Sequence, residues 1–298
     1  MGSAFELTIT GMPEERAAHF LSEGTREIER IEALLSEFRD DSITGLVNRN
    51  AGIRSVVVPE EVYNLIKRCQ HISSLTQGAF DITVKPLKRL YDFRKKELKL
   101  PDRRLIEKTL GIIGYQNIQL GKGNRVYLSK RGMEISFAGI GKGYAADRVR
   151  MLWSAGGVKN GVINASGDLS VLGERQAGTP WKVAVADPLN PSNPILHIPL
   201  REGSVATSGD YEQYFVHTGT RYSHTLDPAS GYPVTGVKSV TVAGPGAELC
   251  DALATAVTVM GVEAGIYLIN QLPDTHCLVI DDRNAIHYSK NITFEKVN

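Results

Sequence analysis

Cysteine is scarce. Cys69, Cys250 and Cys277 are widely spaced and no C-x-x-C occurs. Neither a disulfide framework nor a zinc site is supported, and buried core thiols are expected instead. Charge of one sign is also missing: 34 Lys and Arg against 33 Asp and Glu leave a net +1. That balance implies no polyanion partner and argues against a double-stranded nucleic-acid partner, so no nucleic acid is expected. A small phosphorylated ligand stays open, because it needs only a local field. No apolar run reaches the roughly 18 residues of a spanning helix, so the chain reads as not membrane-spanning. The first residues lack a basic segment followed by an apolar one, so the sequence as written carries no export address. Two phosphate-binding signatures are absent as well. The P-loop would need Gly where Ser136 stands and Ser or Thr where Gly143 stands. The dinucleotide fingerprint would need Gly at Tyr144.

What is present centres on residues 136–150. An apolar, strand-like run from Met133 to Phe137 enters a turn with Gly139, Gly141 and Gly143, and a helix from Tyr144 to Trp153 leaves it. Glycines let a ligand approach the main chain. A helix start adds unpaired N–H groups and the positive end of a dipole. Lys142 puts a full positive charge at the same spot. The stretch reads as a site for a phosphate-containing ligand, or else as a turn whose glycines only permit close packing.

The rest of the chain alternates strands with helices. Phe5–Thr10 alternates like a strand. Pro13–Phe38 reads as a long helix, with Gly24 as a possible interruption, and Pro59 opens a second helix that stops near Gly78. Ala79–Val84 is expected to be extended. Residues 85–101 are rich in Lys and Arg and read as solvated surface. Asp102 is expected to cap a helix to Ile113. Short strands follow at Asn117–Leu120, Arg125–Ser129, Met133–Phe137, Gly161–Ala165, Leu169–Leu172, Trp181–Ala186, Ile195–Leu200, Tyr222–Leu226 and Val237–Ala243. Glu248–Met260 and Val262–Leu272 read as two helices. Cys277–Ile280 and Ala285–His287 close the chain as strands. No repeat and no low-complexity linker interrupts this order, which favours α+β over a regular βαβ winding.

Three further groups could carry chemistry. Asp251 and Thr255, four apart at a helix start, put two oxygens on one face, and small alanines leave room beside them. A hard cation such as magnesium takes such oxygens together with ligand phosphates; an N-terminal capping Asp beside an inward Thr is the structural alternative. His224 precedes a turn built on Asp227, Pro228, Gly231 and Pro233, where it could act as acid or base or be a hydrogen-bonded structural histidine. Phe38 and Phe80 could stack on a ring system beside the Asp81 carboxylate, or simply fill the core.

These pieces, in this order, resemble the ApbE family of flavin transferases, the FAD:protein FMN transferases. The matching segments are Met1–Ser3, Leu35–Phe38 with Ser42–Asn48, Thr76–Val84, Phe137–Asp147, Val205–Tyr211, Tyr222–Val234 and Asp251–Ala256. The resemblance implies an α+β fold, ApbE-like and related to the T-fold. It would have mixed or antiparallel sheets, packed helices, and FAD in a cleft between two lobes of a single domain over residues 1–298. It implies magnesium-dependent transfer of the FMN half of FAD to a threonine hydroxyl of an acceptor flavoprotein, such as a subunit of a membrane redox complex, with release of AMP. Hydrolysis of FAD to FMN and AMP, and a non-catalytic flavin carrier, are the alternatives. Carried over by position, Gly139 (through its carbonyl), Asp251 and Thr255 would hold the metal. Flavin or nucleotide contacts would fall at Met1, Phe38, Asn48, Ala79, Phe80, Asp81, Ser136, Lys142 and Leu226. Catalytic roles would fall to His224, Lys142 and Asp251. Ser136 stands where many members have Asp, and Ser166-Gly167 where the family often has Gly-Gly. Most members are exported behind a lipoprotein signal, which would place the protein in the periplasm or at a membrane; a cytoplasmic location is the other reading.

Overall fold

The structure, a computed structural model, describes residues 4–93, 100–188, 190–209, 214–217 and 220–296. The chain opens with β1 (Phe5–Thr10), α1 (Glu14–Leu35), α2 (Ile43–Arg49), β2 (Val56–Val57), α3 (Glu60–Leu75), α4 (Lys85–Lys88) and α5 (Arg103–Leu110). Next come β3 (Ile118–Gly121), β4 (Arg125–Leu128), α6 (Gly141–Ala155), β5 (Asn160–Ala165), β6 (Asp168–Leu172), β7 (Trp181–Asp187) and β8 (Asn190–Leu200). The rest is β9 (Gly203–Gly209), β10 (Tyr214–His217), β11 (Thr220–Ser223), β12 (Val237–Gly244), α7 (Ala247–Ile269), β13 (His276–Asp281), β14 (Ile286–Tyr288) and β15 (Glu295–Lys296).

Seven strands form the main sheet in the order β1-β5-β6-β9-β12-β13-β14. Its pairings are all antiparallel, as are those of the smaller sheets. Period-two alternation gives the main sheet two apolar faces. Ala206, Val240, Val242, Cys277 and Val279 face α7. Their neighbours Val205, Ala243, Leu278 and Ile280 face the small sheet β15-β8-β7. At the β1 side, Ile163 and Ala165 pack with Phe20 and Ile28 of α1 and Ala146, Val149 and Trp153 of α6. A second core joins α1, α2 and α3 to the sheet β2-β4-β3 and to the 133–145 segment.

The α+β class holds, and several expected elements take a different form. The first helix runs through Gly24 without a break. A Cβ at Gly24 would press on Val149, Leu7 and Trp153, so this glycine lets α1 lie close to α6 and β1. Ala79–Val84 is a turn, because Asp81 Oδ1 accepts both the N–H and the hydroxyl of Thr83 and curls the chain. Met133–Phe137 is buried but pairs with no strand among the described residues: Asn48 supplies both a donor and an acceptor to Ile135 in place of one. Expected strand Tyr222–Leu226 ends at Ser223. β9 and β10 were not anticipated. The Lys- and Arg-rich stretch is not all solvated surface. Lys85 is inward-facing, 3.3 Å from Glu134 and 3.6 Å from Glu37, while Arg94, Lys95, Lys96 and Lys99 lie outside the described residues.

α7 combines the two expected helices, kinked at Gly261, where φ is 79°. Its length and a mean hydropathy of 1.7 would suit a membrane span by composition alone, unlike the expectation from the sequence. Here the main sheet and α6 cover it, and it carries a buried Asp251.

α6 begins at Gly141, before the expected Tyr144, so Lys142 and Gly143 belong to its first turn. A Cβ on Gly143 would fall on the Ala247 carbonyl at the start of α7. Gly143→Ala would gain about 1 kcal/mol of helix propensity. The overpacking against rigid backbone costs about 3 kcal/mol and decides the sign. Thermal denaturation should therefore show a lower Tm for Gly143→Ala, and an unchanged Tm would mean that the two helix starts can part.

Candidate active site

Where the sheet layer meets the helical cluster lies a cleft of about 610 Å³. The starts of α6 and α7, the end of β9, and the turns at 79–84 and 224–228 line it. Its chemistry sits at the two helix starts. Gly143 N–H donates to Asp251 Oδ2 at 3.3 Å, tying the first turn of α6 to α7. Lys142 Nζ lies 2.5 Å from Asp168 Oδ2, and Thr207 N–H donates to Asp168 Oδ1 at 3.3 Å. The Asp168 and Asp251 carboxyls meet each other. Burial drives both well away from water and pushes both above the ordinary carboxyl range; the Asp168 charge pushes Asp251 further, while Lys142 pulls both back down. Ionising both buried carboxyls would place two negative charges beside Lys142, a state that a cation from outside favours.

Thr255 lies one turn beyond Asp251 on α7. A Cβ on Gly139 would come 3.1 Å from Thr255 Oγ1, so the Gly139 backbone is immediately beside that hydroxyl. Carboxylate, hydroxyl and main-chain carbonyl are hard oxygen donors, and this set suits magnesium with ligand phosphates completing the shell. Among the described residues no cluster of three or more His, Cys, Asp or Glu offers a site for a softer metal.

The other expected residues fall in three groups. Ala79, Phe80, Asp81, Ser136, His224 and Leu226 line the cleft together with Gly139, Lys142, Asp251 and Thr255. Asp81 is already engaged there: besides Thr83, it accepts the Tyr115 N–H at 2.8 Å, and burial raises its pKa. Phe38 and Asn48 are not among the lining residues. Phe38 is 87% exposed with Lys85 Nζ 6.0 Å from its ring, and Asn48 fixes the backbone one residue before Ser136. Met1 lies outside the described residues. Sequence reasoning missed Asp168 and the cleft-lining role of Lys88. The one local signal for Asp168 is the turn Ser166-Gly167 before it, where φ is 52° and 98°.

His224 follows β11 directly. The next turn is held by Asp227, whose carboxylate accepts from Ala229 N and Ser230 N, and by Gly231 at φ 78°. Tyr91 Oη donates to the Gly231 carbonyl at 2.7 Å and pins this turn to the layer of α4 and α5. His224 therefore stands on a braced wall of the cleft.

Comparison with known proteins agrees with this fold. The crystal structure of the ApbE protein of Thermotoga maritima MSB8 superposes with a TM-score of 0.86 and 35% identity, over 97% of this chain and 94% of that one. The apo flavinyl transferase ApbE of Pseudomonas stutzeri gives a TM-score of 0.84 at 27% identity, over 97% and 92%. A Klebsiella pneumoniae (strain 342) protein named FAD:protein FMN transferase is 32% identical, over 87% of this chain and 81% of its own length. The model of the ApbE family matches residues 1–279, and with that span and these neighbours the chain belongs to the ApbE family.

Proposed function

We propose that this protein, acting as one domain over residues 1–298, transfers the FMN half of FAD to a threonine hydroxyl of an acceptor flavoprotein and releases AMP. An acceptor such as a subunit of a membrane redox complex fits the family resemblance. The observation that carries the reading is the pair Lys142 and Asp251, at two joined helix starts facing one cleft, with buried Asp168 paired to Lys142. Phosphoryl transfer is catalysed mainly by positioning and charge neutralisation, and this is what the cluster offers. Asp251, Thr255 and the Gly139 carbonyl would hold magnesium, which supplies charge neutralisation on the pyrophosphate. Lys142 and the N–H groups of α6 favour negative charge on the phosphoryl oxygens. His224 takes the threonine proton as the threonine oxygen bonds to the phosphorus bearing riboflavin. The P–O bond to AMP breaks, and AMP leaves with the electron pair. Phe80 and Leu226 supply apolar surface for a ring system.

Mass spectrometry of a flavoprotein subunit incubated with this protein, FAD and magnesium is the test. A gain of one FMN on a threonine supports the transferase. Rapid AMP release without acceptor supports an FAD pyrophosphatase, and tight FAD binding with no AMP supports a carrier. His224→Ala should lower transfer by about 10²–10⁴-fold while leaving the FAD Kd within a few-fold. Full activity of that variant would remove His224 as the base.

A further inference from the structure

A protein substrate needs more than a cleft: it must be held while one of its side chains reaches inside. The β10–β11 hairpin stands at the required place. β9 ends in cleft-lining Thr207, Ser208 and Gly209 before the hairpin, and cleft-lining His224 follows β11. Among the described residues these two strands pair only with each other. Phe215 opposes Tyr222 in register, and their rings stack at 5.1 Å. The stack continues through Phe93 at 5.9 Å to Tyr91 at 5.7 Å. That inner face holds the hairpin against the body of the protein. Alternation turns Tyr214 and Val216 to the outer face, where they are 43% and 56% exposed. Arg221, opposite Val216, lies with its guanidinium 3.6 Å over the Tyr214 ring.

We propose that this outer face of the β10–β11 hairpin, formed by Tyr214, Val216 and Arg221, docks the threonine-bearing segment of the acceptor protein in extended form. The proposal rests on the transferase reading. Water as acceptor would have no use for a braced apolar platform next to His224; a polypeptide would. Tyr and Arg are the residue types that dominate protein interfaces, and here each orients the other. The occupant is an extended segment because the platform is a strand pair, four residues and about 13 Å long, running toward the cleft.

The test uses full-length enzyme and the flavoprotein subunit labelled in the mass-spectrometry experiment. Val216→Asp should raise the KM for that subunit roughly ten-fold, with kcat and the FAD Kd within two-fold of wild type. Tyr214→Ser, a milder change, should shift KM in the same direction, and Tyr267→Ser on α7 should leave it unchanged. An unchanged acceptor KM in folded Val216→Asp and Tyr214→Ser overturns the docking surface. So does a weakened FAD Kd in both, because it would make the hairpin part of the FAD site. Wild-type enzyme that releases AMP but labels no threonine removes the transferase reading itself, before any hairpin variant is made.

Discussion

Asp251→Asn is expected to lower AMP release from FAD by about 10³-fold while leaving the metal-free protein as stable as wild type or more so. The first effect follows from charge. A carboxylate that recruits a divalent cation to a phosphoryl group contributes several kcal/mol, and each 1.36 kcal/mol is tenfold in rate. The second follows from burial. Asp251 is 6% exposed and faces another buried carboxyl, so its ionised form is disfavoured in the fold. A carboxyl whose folded pKa is raised contributes stability below its unfolded value, and that contribution is lost as pH rises through the folded pKa. Measured against Asp251→Asn, metal-free wild type should therefore lose stability on going upward from about pH 4. Thermal melts in chelator across pH would check the sign, and AMP release with excess magnesium would check the rate. A variant that turns over FAD at the wild-type rate would overturn the metal assignment.

Lys142→Met should cost both turnover and stability, and a second substitution should separate the two. Without Lys142 the Asp168 carboxylate loses its ion-pair partner in a site where it is 1% exposed. Breaking a buried pair from one side costs about 3 kcal/mol, less whatever proton uptake recovers. Lys142→Met with Asp168→Asn removes the stranded charge and should regain most of that loss. AMP release should stay about 10²-fold down in both, because the ammonium is gone in both. Urea denaturation and AMP release on the two variants give the comparison. Recovery of turnover in the double variant would mean that Lys142 serves only as the partner of Asp168.

Local periodicity explains why so much of this site could be read before folding. Asp251 and Thr255 are one turn apart on a helix, and Lys142 sits among glycines that mark its turn; neighbours in sequence suffice for both. Asp168 could not be found that way. It comes from the start of a strand, after a polar turn, and its meaning depends on where α6 delivers Lys142. Asn48 went the other way: its place in a familiar segment suggested a ligand contact, yet its amide spends both ends on Ile135. The same bonds explain why Met133–Phe137 looks like a strand and pairs with none. Ala79–Val84 alternates like a strand too, but the Asp81 carboxylate overrides alternation by gathering Thr83 and Tyr115 around itself. In the long helices, apolar spacing alone set the buried faces, and even Gly24 only marks where another helix leans in.

The absence of a side chain at Gly143 has a consequence for how such proteins can diverge. With main chain against main chain at that point, the spacing between Lys142 and Asp251 is insulated from mutation in the loops and outer strands. Descendants of this chain can change which polypeptide they modify by altering the periphery, and keep the nucleotide chemistry they inherited.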